Sequence, residues 1–325
     1  MRTGLFCTYE NPSGDYRTAY AQQGEFIELA EQLGFDEAWV AEHHFNARTT
    51  SPSPVVTLAH IAARTSRIRL GTAAVLLPFH NPILVAEDAA TLDVLSGGRL
   101  DLGVAKGGPF PLQNKHFNLN PEEARARAAE ALVLIERLLS EEQVSFDGTF
   151  YKVDGVELVP RPLQRPVPMF LATSTPDMVK VAAEHRAGLM AGPPYPIAHV
   201  KDCLRVYREI AGNADPKLVL ARFFHLAPTR EQAVAEARTM LEPFVERMQV
   251  ATAKLQPTWT AWMVMEPIIE GSLIGTEAEV RAKLEALEAE LQPYSVILKP
   301  LSTEHKKQCD DLRVFAEMIR PALAA

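Results

Sequence analysis

Segments with the pattern of a strand and segments with the pattern of a helix alternate along this chain almost from end to end. Residues 5–9 have the pattern of a strand, and residues 22–33 carry apolar side chains at helical spacing. Residues 68–77 are a long β-rich stretch, as expected for a strand that a parallel sheet buries on both faces. The alternation continues to a last strand at residues 295–298 and a last helix over residues 304–319.

Eight such strand–helix units in 325 residues predict a (β/α)8 TIM barrel, within the α/β class. The alternative is an open doubly wound sheet, but no Gly-x-Gly-x-x-Gly turn joins the first strand to the first helix. Residues 144–159 depart from the alternation and predict an inserted β-hairpin segment. Residues 251–275 predict an irregular insertion before the last helix–strand unit. We expect residues 1–325 to form a single domain.

The composition argues against several classes of partner. The net charge is −8, from 33 Lys and Arg against 41 Asp and Glu, and without a basic cluster this disfavours nucleic acid. The apolar runs are too short to span a membrane. The chain enters a strand directly after Met1 without a signal-peptide pattern, so we expect a cytoplasmic protein. The three cysteines are too far apart to indicate a disulfide framework.

The second strand runs directly into an acid and two adjacent histidines, Glu42, His43 and His44. In a barrel, the carboxyl ends of the strands face the active site. Histidine titrates near neutral pH, so it suits proton transfer at such a position. A metal-dependent hydrolase is an alternative, but it needs further ligands. Glu42, His43 and His225 are too few, and we predict no metal site.

Six blocks of the sequence carry further information when they are taken together. They are Gly34-Phe35-Asp36, Glu42-His43-His44-Phe45, residues 69–78 (RLGTAAVLLP), His80-Asn81-Pro82, residues 95–100 (LSGGRL) and residues 102–107 (LGVAKG). With the helix start at residues 274–277, this series resembles the bacterial luciferase-like flavin-dependent monooxygenases. The resemblance is dense in residues 34–107 and thin in residues 190–270.

The resemblance implies a barrel enzyme that binds reduced FMN at the carboxyl ends of its strands. In that family, O2 adds to the flavin and forms a C4a-peroxide or hydroperoxide, which oxidises a bound organic substrate. Here we expect a small or medium apolar substrate. The resemblance also implies a separate NAD(P)H-flavin reductase and a dimer, either a homodimer or a heterodimer.

The resemblance assigns roles to the residues after the second strand. His43 matches the functional histidine of the luciferase subunit that carries activity, so we predict that His43 is catalytic. Glu42 is placed among the cofactor-binding residues, with orientation of a histidine or a buried ion pair as alternatives. His44 points away from His43, since side chains alternate along a strand, and is interpreted as a packed, hydrogen-bonded residue.

A second group of matched residues is expected to hold the flavin. Thr72, Ala73 and Ala74 match a strand beneath the flavin ring, where the family often has a non-proline cis peptide. A cis bond at Ala73–Ala74 is therefore a hypothesis. Lys106 matches the arginine that binds the flavin phosphate in luciferase, and it keeps the positive charge without the bidentate guanidinium. Ala105 stands where luciferase has a reactive cysteine, which weakens the resemblance to luciferase itself.

Thr173, Ser174 and Thr175 follow the fifth strand and open a helix, where the family has its phosphate loop. Free amides and hydroxyls at a helix N-terminus suit a phosphate, although N-capping is the common role of such residues. Ser174 matches the family's serine, with Thr173 and Thr175 as helpers. A substrate pocket or lid is a further expectation for a set of side chains, with core packing or a subunit contact as the alternative: Phe79, Phe110, Tyr195, Trp259, Trp262 and Met263.

Two other functions fit the same resemblance. An F420-dependent oxidoreductase of the same superfamily would transfer hydride without using oxygen. A non-catalytic flavin-binding partner subunit would bind the cofactor without turnover. The Glu42-His43-His44 block favours FMN over F420, and His43 argues against an inactive subunit.

Overall fold

The computed structural model describes residues 1–108, 110–212, 214–253 and 257–319. Its centre is a closed ring of eight parallel strands, in which neighbours in the ring are hydrogen-bonded and the last strand pairs with the first. In ring order these strands are β1 (Arg2–Cys7), β2 (Glu37–Val40), β3 (Arg69–Thr72), β5 (Leu100–Ala105), β8 (Met169–Ala172), β9 (Gly188–Ala191), β10 (Leu218–Leu226) and β12 (Ser295–Pro300). The predicted (β/α)8 barrel is confirmed, and the closed ring excludes the open sheet. That residues 1–325 form a single domain stays a prediction.

Helices connect the strands and pack on the outside of the ring. Pro82 occupies the first turn of its helix, and Asn81 caps that helix by accepting the N–H of Ile83. Thr276 and Glu279 form a capping box at the start of their helix. No helix in the described ranges combines the length and the apolar character needed to cross a membrane. The helices are α1 (Tyr16–Gln32), α2 (Pro54–Ala62), α3 (Pro82–Ser96), α4 (Pro111–His116), α5 (Ala124–Ser140), α6 (Pro176–Glu184), α7 (Ile197–Ala211), α8 (Arg230–Thr252), α9 (Pro257–Trp262), α10 (Met265–Glu270), α11 (Glu277–Leu291) and α12 (His305–Val314).

The structure differs from the sequence-based expectations at three places. The strand expected over residues 68–77 is interrupted: β3 ends at Thr72, and pairing with β5 resumes only in β4 (Val75–Leu76). Residues 251–275, expected to be irregular, contain α9, α10 and β11 (Leu273–Gly275), while residues 254–256 lie outside the described residues. Helix α4 was not predicted, because a six-residue helix has too little periodicity to be recognised.

The predicted inserted segment is one antiparallel hairpin of β6 (Val144–Asp147) and β7 (Lys152–Val156). It lies outside the ring, and its partly buried residue Phe146 packs against the main hydrophobic core. The hairpin therefore leaves the order of the barrel strands unchanged.

Apolar side chains fill the inside of the barrel. Trp39 and Phe170 meet edge to face, with ring centroids 5.2 Å apart. Gly71 lies against the Trp39 ring, and a Cβ at this position would collide with it. Because side chains alternate along each strand, the inward positions beyond this layer reach the carboxyl-terminal mouth of the barrel. The interior layer consists of Trp39, Phe170, Met190, Val219, Ala221 and Ile297.

Candidate active site

One side of the barrel mouth is formed by small apolar residues on three neighbouring strands. Ala74 and Ala105 are buried in one cluster, and the partly exposed Ala172 packs against it. Ala73 follows β3, and the Ala73–Ala74 peptide is cis, as the sequence-based hypothesis stated. We call Ala73, Ala74, Ala105 and Ala172 the alanine wall. Its short side chains leave the backbone accessible to a flat ligand.

Thr72 lies at the base of the alanine wall, and the sheet uses its side chain. The Thr72 hydroxyl donates to the Gly103 carbonyl at 2.7 Å and accepts the Gly103 N–H at 2.9 Å. A Cβ at Gly103 would collide with the Thr72 carbonyl, so glycine permits this close approach. Thr72 therefore joins β3 to β5, and its contact with a cofactor stays a prediction.

Glu42 connects the ends of β2 and β4. Its Oε1 accepts hydrogen bonds from His44 Nε2 at 2.7 Å and from His80 Nε2 at 2.8 Å, and its Oε2 accepts the Leu76 N–H at 3.0 Å. The His44 ring also packs against Phe117, with centroids 4.7 Å apart. These contacts support orientation of histidines as the role of Glu42, and they show His44 packed and hydrogen-bonded. Cofactor binding by Glu42 stays a prediction.

The charges of this network reinforce one another. Burial raises the pKa of Glu42, but the hydrogen bonds from His44 and His80 outweigh burial and hold the pKa below its usual range. Burial lowers the pKa of His80, but the bond to Glu42 outweighs it and raises the pKa above its usual range. One carboxylate and two imidazoles are a possible zinc set, yet nitrogen–oxygen distances of 2.7 and 2.8 Å are those of direct hydrogen bonds.

His43 lies three residues beyond the end of β2, and its side chain is close to those of Glu10 and Lys299. Its N–H donates to the Ser51 carbonyl at 2.9 Å, which fixes the backbone, while its side-chain Nδ1 is buried without a hydrogen-bond partner among the described residues. Burial lowers the pKa of His43 to about 4, so the imidazole is neutral at physiological pH. A neutral, unpartnered ring nitrogen is available to accept a proton or a hydrogen bond from a ligand.

Glu10 and Lys299 form an ion pair beside His43 that the sequence analysis did not identify. Lys299 Nζ donates to Glu10 Oε1 at 2.7 Å, and the Thr8 hydroxyl donates to the same oxygen at 3.0 Å. Burial raises the pKa of Glu10, but the charge of Lys299 outweighs it and lowers the pKa. A search for titratable residues just after each strand would have found Glu10. Its partner, 289 residues away along the chain, had no sequence signal.

Lys106 lies next to the start of α6, where a phosphate was predicted. Ala105 pairs with Ala172 in the register of β5 and β8, so Lys106 follows one strand where Thr173 follows its neighbour. Burial lowers the pKa of Lys106, and the nearby cation Arg125 lowers it further. Arg125, which the sequence analysis did not single out, approaches Asp177 of α6 at 3.6 Å. Two cations and a helix N-terminus therefore meet at one place.

The predicted phosphate loop adopts a turn at the N-terminus of α6. The Thr173 hydroxyl accepts the Thr175 N–H at 3.2 Å, and Thr175 occupies the N-cap without a side-chain capping bond. The Ser174 hydroxyl accepts a hydrogen bond from Trp259 Nε1 at 3.0 Å. Thr175 thus leaves the amides in the first turn of α6, after Pro176, without a side-chain cap of its own. Phosphate contacts of Thr173, Ser174 and Thr175 stay predictions.

The aromatic residues expected to form a pocket or lid separate into groups. Tyr195 packs against Trp259 and Trp262, with both centroid distances at 5.4 Å, and this group covers Ser174. Phe79 stacks on Phe117 beside the alanine wall, at 4.8 Å. Phe110 lies at the N-cap of α4.

Two other candidates point away from the mouth. Met263 is fully buried in the cluster between α8 and α10, so it belongs to the core, which was the alternative to a pocket. His225 bonds to Glu236 of α8 at 2.7 Å, on the helix side of β10, and so is not joined to Glu42 and His43. His225 is therefore no ligand partner of Glu42 and His43, and the absence of a metal site stays a prediction.

Comparisons with known proteins identify a family and several relatives of this chain. The family described as luciferase-like monooxygenase matches residues 1–291. The flavin-dependent trigonelline monooxygenase, oxygenase component, of Acinetobacter baylyi is 27% identical over 252 residues, covering 74% of this chain and 69% of that protein. The 4-hydroxyprotoasukamycin monooxygenase of Streptomyces nodosus subsp. asukaensis is 34% identical over 226 residues, covering 65% of this chain. The match spans only 60% of that relative's length.

A relative with another cofactor and a solved structure also match. An F420-dependent glucose-6-phosphate dehydrogenase of Kineococcus radiotolerans is 36% identical over 178 residues, covering 50% of this chain and 49% of that protein. The crystal structure of monooxygenase RslO1 from Streptomyces bottropensis superimposes with a TM-score of 0.85 and 28% identity, covering 99% of this chain and 100% of that chain.

Replacement of Glu42 tests the hydrogen-bond network. Glu42→Gln removes the negative charge and replaces one of two acceptor oxygens with an NH2 donor, so at least one of the three donors loses its acceptor. We therefore expect the free energy of unfolding to fall by about 1–3 kcal/mol. The contribution of charged His80 is complete below its unfolded pKa of about 6.5 and is lost as the pH rises through its raised folded value. The stability that charged Glu42 contributes is complete above its unfolded pKa of about 4.5. It is lost as the pH falls through the lowered pKa of the folded state. The penalty should therefore be largest near pH 5–6, as urea unfolding at about pH 5.5 and 8.5 would show.

Glu236→Gln is the matched control, since Glu236 also bonds a histidine at 2.7 Å but its side chain is 41% exposed. We expect a smaller loss of stability in this variant. An equal penalty for Glu42→Gln at both pH values would contradict a charged pair of Glu42 and His80.

Proposed function

Because the chain belongs to the luciferase-like monooxygenase family, we propose that it is an FMNH2-dependent monooxygenase that uses O2 to oxidise a small or medium organic substrate. The observation that carries this proposal is the division of one barrel mouth into two sides. The alanine wall ends at Lys106, Arg125 and the start of α6, while His43 points into the mouth from the other side.

The residues at the barrel mouth fit both the phosphate and the ring system of FMN. A phosphate dianion requires cations and N–H donors, and Lys106, Arg125 and the amides at the start of α6 supply them. A flat ring system requires a surface of small side chains, which the alanine wall provides. Reduced FMN, when bound, supplies the activation of oxygen. The protein holds the ligand, orients it and excludes water, with the Tyr195, Trp259 and Trp262 group beside the phosphate end.

His43 is the proposed catalytic residue. Its neutral imidazole has a buried Nδ1 that no described residue hydrogen-bonds, so it can accept a proton from the substrate without first losing one of its own. The ring stays neutral because burial opposes the positive charge. His44 cannot share this role, since its Nε2 is committed to Glu42.

An F420-dependent oxidoreductase is the second candidate function, and the relative from Kineococcus radiotolerans favours it. The flavin-dependent relative from Acinetobacter baylyi favours FMN and is matched over a larger share of this chain. Because that relative is an oxygenase component, we infer that a separate NAD(P)H-flavin reductase supplies the reduced flavin. The dimer, the non-catalytic partner subunit as an alternative, and the cytoplasmic location stay predictions.

Lys106→Ala tests the phosphate site. The variant loses a charge-assisted contact to the phosphate, so we expect the Kd for FMN to rise by about 10- to 100-fold. Riboflavin has no phosphate, and its Kd should change by less than about threefold. Both constants can be measured by anaerobic fluorescence or absorbance titration.

Lys180→Ala is the control for this test, because Lys180 is an exposed lysine on the same helix α6. It should leave both Kd values unchanged. Equal losses for FMN and riboflavin in Lys106→Ala would show that the phosphate binds elsewhere.

His43→Ala tests the catalytic role. The variant should fold and bind FMN like the wild type, while its turnover falls by about 10²- to 10⁴-fold because the proton acceptor is gone. Turnover is measured as substrate-dependent oxygen consumption with chemically reduced FMN, using any compound that the wild type oxidises. His60→Ala, at an exposed position of α2, is the control. Unchanged turnover in His43→Ala would remove this residue from the mechanism.

A further inference from the structure

We propose that the Glu10–Lys299 ion pair, together with His43, forms a recognition site for an acidic hydroxyl group, so that the substrate is a phenol or an enol rather than a purely apolar compound. This inference rests on the proposed function, because it names the substrate class of the same site. It also changes the expectation from sequence, which considered only apolar pocket residues.

The fold places the three side chains on one side of the mouth. Lys299 lies on β12, while Glu10 and His43 follow the ends of β1 and β2, and these three strands are neighbours in the ring. Cys7 pairs with Val40, and Glu10 and His43 each lie three residues further along, so they reach the same height. Ile297 is part of the interior layer, and Lys299, two residues later, has the same inward orientation. The charged side therefore faces the barrel axis, opposite the alanine wall.

The backbone holds this group in place. Glu10 forms an isolated bridge with Thr49, and the His43 N–H donates to the Ser51 carbonyl, so both residues are tied to one loop. The Lys299 side chain is 13% exposed and the Glu10 side chain is 27% exposed. The ion pair is thus mostly buried yet can still be reached from the mouth.

The charges select the kind of ligand. Glu10 and Lys299 neutralise each other, and His43 is neutral, so the site has no net charge with which to attract an ion. A neutral hydroxyl can donate to the free Nδ1 of His43. If the proton moves, the O–H bond breaks and an N–H bond forms on His43. The new oxyanion is then stabilised by Lys299 and the imidazolium by Glu10.

The same arrangement favours an acidic hydroxyl over an ordinary alcohol. An ordinary alcohol gains only the hydrogen bond to His43 and develops little negative charge for the nearby Lys299 ammonium to stabilise. A phenol or an enol is far more acidic, and its oxyanion gains the contact with Lys299. The remaining titratable groups that act on His43 are Glu42 and His44, which are bonded to each other.

The test uses 4-nitrophenol as the probe and its methyl ether 4-nitroanisole as the matched ligand without the hydroxyl. Both are titrated against the full chain without added flavin. We expect 4-nitrophenol to bind at least about tenfold more tightly, since only it donates to His43. Equal affinity of the two ligands would overturn the proposal.

The second readout is the pKa of the bound probe, followed by the absorbance of nitrophenolate. Lys299→Met leaves Glu10 uncompensated and should raise this pKa by about one pH unit, whereas Glu10→Gln leaves Lys299 uncompensated and should lower it by a similar amount. The double variant, Glu10→Gln with Lys299→Met, restores the neutral charge of the site, and the pKa of the bound probe should return to near its wild-type value. Lys306→Met removes a surface charge that is paired with Asp310 and should change nothing.

Opposite shifts of the probe's pKa in Lys299→Met and Glu10→Gln support the proposal. Shifts of the same sign, or no shift, in variants with a native circular dichroism spectrum overturn it. If either single variant does not fold, Lys299→Arg takes its place: it keeps the positive charge and should preserve the tight binding of 4-nitrophenol, and a loss of that tight binding would overturn the proposal. Because no flavin is present, these results are independent of FMN. Failure of FMNH2 to bind would count against the proposed function and would leave the probe measurements unchanged.

Discussion

The alternation of side chains along the strands of a closed barrel is the constraint from which the rest of this structure follows. Inward positions form a layer around Trp39 and Phe170 that is filled with apolar side chains. The next inward positions on β1, β2 and β12 lie beyond that layer, where charged residues remain accessible to a ligand. A shift of one residue in any of these strands would turn Glu10, His43 or Lys299 outward.

Glu42 joins separate segments of the mouth by hydrogen bonds where the strand β3 is interrupted. The strand that begins as β3 breaks after Thr72, and Leu76, in the short β4, is hydrogen-bonded to Glu42. The same carboxylate orients His44 and His80. As a result, the alanine wall and His43 are carried by segments that are tied together, although they belong to different strands.

The sequence was sufficient to predict the barrel and the position of His43, because both depend on local patterns: the repeated strand–helix units and a titratable residue at a strand end. It was not sufficient to identify the Glu10–Lys299 pair, which exists only because β12 closes the ring against β1. The contact of Trp259 with Ser174 and the roles of Arg125 and His80 likewise depend on tertiary packing. The residue type alone does not distinguish a fully buried residue such as Met263 from a residue that lines a pocket.

The central claim is that this mouth binds reduced FMN. The most direct measurement is an anaerobic titration of the full chain with FMNH2 and, in parallel, with reduced F420, following the absorbance of each cofactor. The account predicts saturable binding of FMNH2 that is at least about tenfold tighter than binding of reduced F420. Tight binding of reduced F420 without binding of FMNH2 would contradict it.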